Sequence, residues 1–308
     1  MKKVLRIGSR GSGLALWQAE FVKGLISRNF PELKIEISVI RTTGDRIADQ
    51  PLDNIGGKEL FVKEIEEALL RDEIDVGVHS LKDLPTVLPE GLKIGAVATR
   101  HDPRDALVAK KGIGLYEFPK GARIGTGSIR RKAQLLYLRP DLEIIPIRGN
   151  VDTRLRKLRN EGFDALVLAL AGLERMGFRN EVTEALSFDV MVPAPGQGII
   201  AGECREYDNE VSRVLGQINH EETEIAASAE RAFLGRLGGS CYVPVGCFAE
   251  VREDGVKILG LIASPDGKQL IRERIEGSLQ SHKYLGKELA ERVLAKGGRE
   301  ILSRLPMQ

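Results

Sequence analysis

Apolar residues recur along the first hundred positions in two alternating rhythms. The run VLRIGS (4–9) reads as a buried strand, and residues 14–26 follow with Leu14, Trp17, Phe21, Val22 and Leu25 at helical spacing. KIEISVIRT (34–42) alternates like a half-buried strand, ELFVKEIEEALLRDE (59–73) returns to the helical rhythm, and DVGVHSL (75–81) is strand-like again. This is the grammar of a parallel α/β sheet.

The same rhythm recurs between 122 and 177, and the residues recur with it. RIGSRGSGLALWQ from Arg6 parallels RIGTGSIRRKAQ from Arg123, FPELKIEISVIRTTGD (30–45) parallels RPDLEIIPIRGNVD (139–152), and EIDVGVHSL (73–81) parallels GFDALVLAL (162–170). Echoes in the same order point to a duplicated unit: two similar lobes with a cleft between them. RHDPRDA (100–106) is a polar, proline-containing exit from the first lobe, and VPAPGQG (192–198) is a second break before the strand-like IIAGECRE (199–206). The chain is therefore expected to cross between lobes twice, the second crossing returning it to the first lobe, and paired crossings would form a hinge. Beyond about 220 a helix from Glu224 to Leu237 leads to GGSC, then VGCFAEVRED, VKILGLIAS and QLIRERIEG read as three antiparallel strands. A closing helix over about 282–304 completes a small α+β domain. The expected division is 1–99 with 199–218, then 100–198, then 219–308.

Composition narrows the function classes. At 308 residues the chain exceeds what one core usually holds, and 42% hydrophobic with 29% charged residues fits an ordinary soluble globular protein. No apolar run is long enough for a membrane span, and Arg6 and Arg10 interrupt any signal-like start, so a cytoplasmic location is expected. Cys204, Cys241 and Cys247 form neither a disulfide framework nor a metal-ligand spacing, and the histidines (His79, His101, His220, His282) are scattered, so no metal is expected. Lysines and arginines number 46 against 44 acids; this near balance and 5% aromatic content argue against a nucleic-acid partner. Acids gather on segments such as Glu64–Glu67 while arginines gather elsewhere, a segregation that suits a small anionic ligand.

Several stretches carry candidate chemistry. GTGSIRRKAQ (125–134) is a glycine-rich turn opening a helix, where backbone N–H groups and the helix dipole attract anions. Ser128 can cap it, Arg130 and Arg131 add charged forks, and the missing lysine–Ser/Thr ending excludes a Walker loop. The plainer reading is a capped helix with solvated arginines. SRGSGLA (9–15) occupies the equivalent place in the first lobe with Arg10 and Ser12, and IRGNVDTRLRKL (147–158) brings Arg148 and Arg154. Ligands of open α/β sheets bind at the carboxyl ends of strands, and arginine suits bidentate carboxylate recognition, so together these segments point to a polycarboxylate site. In HSLKDLP (79–85), Lys82 and Asp83 follow a strand on that edge: Asp83 is either an acid–base group or a turn aspartate bonding its own backbone, and His79 a packed strand residue. In GGSCYVPVG (238–246), Cys241 sits between a glycine pair and Val-Pro-Val, either presented for reaction or buried as a small hydrophobe; Cys204 and Cys247 fit the buried description.

Taken together, SRGSGLALWQ, TTGD, GGKELFVKEIEEALL, DVGVHSLKDLP, HDPRDALV, IGTGSIRRKAQL, IRGNVDTRLRKL, LALAGLERMG, PAPGQGIIAGE and GGSCYVPVG resemble, in order, the porphobilinogen deaminase (hydroxymethylbilane synthase) family, from Val4 to at least Gly246. The resemblance implies two lobes like those of periplasmic binding proteins with a hinge, plus the small α+β domain. It implies a transferase that condenses four porphobilinogen molecules head to tail on a covalent dipyrromethane primer, releasing ammonia at each addition and finally hydroxymethylbilane, and acting as a monomer. Cys241 matches the cysteine that holds dipyrromethane through a thioether, and Asp83 matches the catalytic aspartate, expected to protonate the departing amine and stabilise cationic species. Arg10, Ser12, Lys82, Thr126, Ser128, Arg130, Arg131, Arg148, Arg154 and Arg175 match residues that hold acetate and propionate groups of cofactor and substrate. Phe61 and Gln197 match positions near the pyrrole rings, and Lys58 falls in a lid-like stretch over about 45–60 that contains Gly56-Gly57. The family often has proline where this chain has Gly13, which puts the local helix start in question.

Two rivals remain on the residues alone. A two-lobed anion-binding protein without chemistry explains the lobes and arginines but neither Cys241 nor the third domain, and a nucleic-acid binder meets the charge balance above.

Overall fold

The computed structural model describes residues 2–43, 62–238 and 243–304. Lys58, Phe61, Cys241 and the stretch over 45–60 lie outside the described residues.

Within them the hydrophobic rhythms become elements close to their expected bounds. The first part of the chain forms β1 (Val4–Ser9), α1 (Gly13–Asn29), β2 (Lys34–Val39), α2 (Lys63–Leu70), β3 (Val76–Ser80) and β4 (Leu92–Val97). Next come β5 (Asp105–Ala109), β6 (Arg123–Gly125), α3 (Ile129–Leu138), β7 (Glu143–Ile145), α4 (Val151–Asn160), β8 (Ala165–Ala169), α5 (Leu170–Arg175) and β9 (Glu184–Ala185). The remainder forms β10 (Ile200–Arg205), α6 (Asn209–Gly216), α7 (Glu221–Arg236), β11 (Val245–Arg252), β12 (Gly255–Ala263), β13 (Leu270–Gly277), α8 (His282–Val293) and α9 (Arg299–Ser303).

The chain divides into two compact units, one of Met1–His101 with Ile199–Glu224 and one of Asp102–Gly198 with Ile225–Gln308. The first holds a five-stranded sheet of order β2-β1-β3-β10-β4, and the second holds one of order β7-β6-β8-β5-β9. The orders are the same once β1 is matched to β6, β2 to β7 and β3 to β8, the pairs that the sequence echoes align. In both, the first three strands are parallel and the fourth runs antiparallel to its neighbours: β10 against β3 and β4, β5 against β8 and β9. The sheets are therefore mixed rather than parallel. The reversed strand enters each sheet from a crossing segment instead of a crossover helix, and a right-handed crossover is what keeps strands parallel. As expected from the crossings, β10 returns the chain to the sheet it left after β4.

Side-chain alternation explains why both faces of each sheet are covered. In the first unit Leu5, Ile7, Val76 and Val78 pack with Ala19, Val22 and Ile26 of α1 and Val211, Val214 and Leu215 of α6. On the other face Ile65 and Leu69 of α2 press so close that a Cβ on Gly77 would stand 2.9 Å from Ile65. In the second unit Leu107 and Val167 face Leu135 of α3, while Ala106, Val108, Leu166 and Leu168 face Leu155 and Leu158 of α4 and Leu173 of α5. Strands buried on both faces read as continuous apolar runs, as ALVLA does.

The second unit also contains the antiparallel meander β11-β12-β13. One face packs Phe233 of α7 with Leu289 and Val293 of α8, and the other packs Leu259, Leu261 and Ala263 with Ala133 of α3 and Val192. The closing helix expected over 282–304 is broken: Leu294–Gly298 form a π-type turn in which Gly297 has φ 111°, a conformation that only glycine adopts without strain.

At the amino-terminal edge of the first sheet, Asp75 is buried at 1% exposure and Arg205 at 2%. Asp75 accepts from Arg6 Nε (3.0 Å), Arg6 N (2.8 Å), Lys2 Nζ (2.6 Å) and Arg205 Nη2 (3.2 Å), while Arg205 Nη1 donates to the carbonyls of Leu69 and Ile74. Burial alone would raise the Asp75 carboxyl, but the bonds from Arg6 and Lys2 outweigh it and hold the group well below the usual carboxylate range. A depressed carboxyl stabilises above its unfolded pKa, and that contribution is lost as the pH falls toward its folded value. Asp75→Asn should therefore destabilise the protein by about 3 kcal/mol at neutral pH. The gap between parent and variant should narrow below about pH 4, as urea titrations at several pH values would show. A gap independent of pH would remove the charge from the explanation.

Candidate functional site

The first unit delivers two segments to one sheet edge. β1 and β3 are parallel neighbours, so the residues after them leave the sheet side by side. After β1, Ser12 caps α1 by accepting from Ala15 N (3.3 Å), with extended φ −71° and ψ 147°, and the helix begins at Gly13. Gly13, the position at which the helix start was in question, thus opens a regular helix. Arg10 precedes this cap and is half-buried.

After β3 the chain makes a 3₁₀ turn, Leu81–Asp83, closed by Leu84 N donating to Leu81 O (3.1 Å). Gln18 Nε2 of α1 donates to Ser80 Oγ (2.8 Å) at the mouth of the turn, and Lys82 and Asp83 are both half-buried. The Asp83 carboxylate makes no hydrogen bond or ion pair with any described residue. A turn aspartate would accept from its own backbone, so that reading of HSLKDLP fails. His79 is 4% exposed, with Nε2 3.1 Å from the buried Glu203 carboxylate, which fits its reading as a packed strand residue.

The second unit builds a cationic site at the equivalent edge. Beyond β6, Thr126 is buried and its Oγ1 accepts from Ser128 N (3.2 Å), and Ser128 caps α3 by accepting from Arg131 N (3.4 Å). Arg130 and Arg131 therefore fall in the first helical turn, where both are buried (5% and 6% exposed), not solvated. Arg130 Nη1 donates to Asp105 Oδ2 and to Val192 O, both at 2.7 Å. Arg131 donates through Nε (3.0 Å) and Nη2 (2.8 Å) to Asp105 Oδ1 and through Nη1 to Val167 O (3.0 Å). Beyond β7, Arg148 makes no hydrogen bond or ion pair with a described residue, and in the first turn of α4 Arg154 Nε donates to Gly149 O (2.7 Å).

The return crossing borders this cluster. Gly196 N donates to the buried Glu230 carboxylate (2.6 Å), Gln197 Nε2 to Asp105 Oδ1 (2.9 Å) and Pro103 O (2.8 Å), and Gly198 O accepts from Arg175 Nη2 (2.7 Å). Three successive residues thus meet three buried charges, and Gly196 (φ 75°) and Gly198 (φ 87°) provide the left-handed turns that direct them. Asp105 and Glu230 were not among the residues singled out from sequence. Asp105 begins a strand inside what reads as a polar exit segment, and an acid among cations was the one available signal.

Burial dominates the electrostatics. It would raise the Asp105 carboxyl, but Arg130 and Arg131 outweigh it and hold that group well below the usual range. Arg154 is pushed down to about 10 by burial and by the like charges of Arg131 and Arg148, and Arg175 down to about 10 by burial despite Glu174. Asp105 bonds Arg130 and Arg131, Arg154 is crowded by like charges, and this donor set fits a molecule with several carboxylates. Cys204 and Cys247 are both fully buried, in β10 and β11, as small hydrophobes.

Comparison with known proteins bears on what this edge holds. Residues 5–213 match the family model described as "Porphobilinogen deaminase, dipyromethane cofactor binding domain", and residues 225–295 match "Porphobilinogen deaminase, C-terminal domain". The chain is 51% identical over 300 residues to the porphobilinogen deaminase of Trichlorobacter lovleyi, covering 97% of this chain and 96% of that protein. It is 48% identical over 305 residues to that of Carboxydothermus hydrogenoformans, covering 99% and 98%. Among solved structures it is similar to a probable amino-acid ABC transporter extracellular-binding protein from Bacillus subtilis, at 12% identity over 71% of this chain and 90% of that one, with a TM-score of 0.43.

The crowding of like charge has a measurable consequence. Arg148→Leu relieves the pressure on Arg154, so the melting temperature should be unchanged or raised even though a site residue is lost. A fall of more than about 4 °C would show that Arg148 supports the fold rather than a ligand.

Proposed function

The chain belongs to the porphobilinogen deaminase family, and on that premise we propose which of its residues perform the reaction. The activity is the condensation of four porphobilinogen molecules head to tail, with loss of ammonia at each addition and release of hydroxymethylbilane, in tetrapyrrole biosynthesis. The cofactor is dipyrromethane, which when bound supplies the pyrrole terminus to which substrate units are added.

Asp83 is the acid–base residue. The observation that carries this assignment is its half-buried carboxylate, held by a rigid 3₁₀ turn at a strand end and committed to no described partner. Each addition expels the substrate amine as ammonia and later sheds a proton from the attacked ring carbon. One carboxyl group can deliver the first proton as the acid, offset the positive charge left on the substrate as the carboxylate, and accept the second proton, returning to its starting state. Arg10, Ser12 and Lys82, on the same edge, hold substrate acetate and propionate groups, and we assign Phe61, beside the pyrrole rings, and Lys58, in the lid-like stretch, from the resemblance alone.

Cys241 carries dipyrromethane through a thioether, and the burial of Cys204 and Cys247 supports that choice. Thr126, Ser128, Arg130, Arg131, Arg148 and Gln197 bind the cofactor, while Arg148, Arg154 and Arg175 serve incoming substrate. The burial of these cations supports the reading, because a guanidinium in a low-dielectric site gains far more from a carboxylate than a solvated one does. We also assign the chain to the cytoplasm as a monomer, without nucleic-acid or membrane partners. Charge balance and cysteine usage support this. Among the described residues no helix is long and apolar enough to cross a membrane.

Asp83→Asn keeps the shape of the turn and should slow turnover by about a hundredfold or more in single-turnover assays. Asp83→Glu should retain part of the activity, with covalent intermediates visible by intact mass. Near-normal turnover of the Asn variant would remove Asp83 from the mechanism. Cys241→Ser should yield a folded chain of bare mass, and recovery of the adduct on Cys204 or Cys247 by peptide mapping would overturn the attachment site.

A further inference from the structure

The two neighbouring arginines of α3 are not equivalent. Arg131 gives its Nε–Nη2 edge to Asp105 Oδ1 and its Nη1 to Val167 O. Its bidentate edge is spent within the protein. Arg130 is held by Nη1 alone, between Asp105 Oδ2 and Val192 O. Val192 is itself locked, because its N–H donates to Gln134 Oε1 (2.8 Å) and its carbonyl accepts from Gln134 Nε2 (3.1 Å). The Nε–Nη2 edge of Arg130 makes no hydrogen bond to any described residue. A guanidinium gripped at one corner between two fixed acceptors cannot turn, so its remaining edge points in one direction. That edge is the one that matches a carboxylate with two parallel bonds.

We propose that Asp105 is a positioning residue that divides the arginine pair, holding Arg131 by its Nε–Nη2 edge so that it serves the cofactor by its charge, and fixing Arg130 so that its Nε–Nη2 edge takes one cofactor carboxylate. The inference rests on the reading that the second unit's arginines hold the cofactor's acetate and propionate groups. Asp105 is suited to the task by its own geometry. It is completely buried at the start of β5, and Gln197 Nε2 fixes the oxygen that Arg131 uses. A carboxylate closed off from ligand can organise cations without competing for the same site.

The test uses the full chain produced without porphobilinogen and then supplied with it, following covalent incorporation by intact mass and stability by melting. In Arg130→Lys the amine can still reach Asp105 and Val192 but offers no second edge. It should melt within about 4 °C of the parent and incorporate the cofactor about tenfold more slowly or worse. Incorporation at the parent rate would overturn the assignment of that edge. Asp105→Asn, assayed below its own melting point, should also incorporate about tenfold more slowly, because Arg130 loses its ionic anchor. A merely structural Asp105 would lower the melting temperature but leave incorporation by the folded protein unchanged, and that result would refute the positioning role. If Asp105→Asn does not fold, Arg130→Lys decides alone. Arg148→Leu separates the premise from the inference. Loss of incorporation there with normal incorporation in Arg130→Lys discards only the edge assignment, whereas normal incorporation in both discards the arginine site itself.

Discussion

Burying guanidinium groups is unfavourable, and the second unit does so repeatedly. Arg130 and Arg131 are buried against Asp105, Arg175 is buried beside the return crossing, and burial lowers the pKa of Arg154 and Arg175. Such a cluster persists only because surrounding structure over-determines it. Caps from Ser128, carbonyls of Val167, Val192 and Gly198, and the single carboxylate of Asp105 each hold one part. Such a donor set fits a ligand with several carboxylates.

The duplicated topology explains where this cluster lies and why the other unit carries different chemistry at the matching place. Each unit needs a strand to end in a tight turn close to a neighbour. Gly8 and Gly125 stand at matched points of β1 and β6, where a Cβ would come within 2.3 Å of Ile74 and 2.5 Å of Leu166. The shared RIG–Ser/Thr motif is therefore a packing requirement of the fold. Residues beyond the motif are free to differ between the units. In the first unit the adjacent strand leads into the turn that bears Lys82 and Asp83, whose carboxylate meets no described partner, and in the second the edge gathers arginines.

The meander adds a second support to the cation site from within its own unit. Gly267, at the β12–β13 turn with φ 73°, lies so near α3 that a Cβ would be 2.6 Å from Leu136 and 2.8 Å from the carbonyl of Ala133. Leu259, Leu261 and Ala263 pack beside Ala133 on the same helix. The helix that presents Arg130 and Arg131 is thus braced along its length as well as capped at its start.

Hydrophobic rhythm alone determined most of the elements, because period two and the helical period are local consequences of backbone geometry and burial. It also disclosed the duplication, since RIGS and RIGT, or DVGVHS and ALVLA, must satisfy the same packing twice. The motifs in order carried the family, and with it Asp83, the arginines and Cys241. Tertiary structure decided what depends on partners distant in the chain. Strand direction is invisible to alternation, so the antiparallel β5 and β10 emerged only with pairing. The break at Gly297 required a positive φ that no periodicity records. GTGSIRRKAQ alone left Arg130 and Arg131 open between solvated forks and an anion site, and their burial against Asp105, 25 residues from Arg130 in sequence, came only from the fold. Asp83 was already marked by the motifs, and the fold added that its turn closes without its carboxylate. A residue's type announces which bonds it can make, but only the fold determines which of those bonds are already taken.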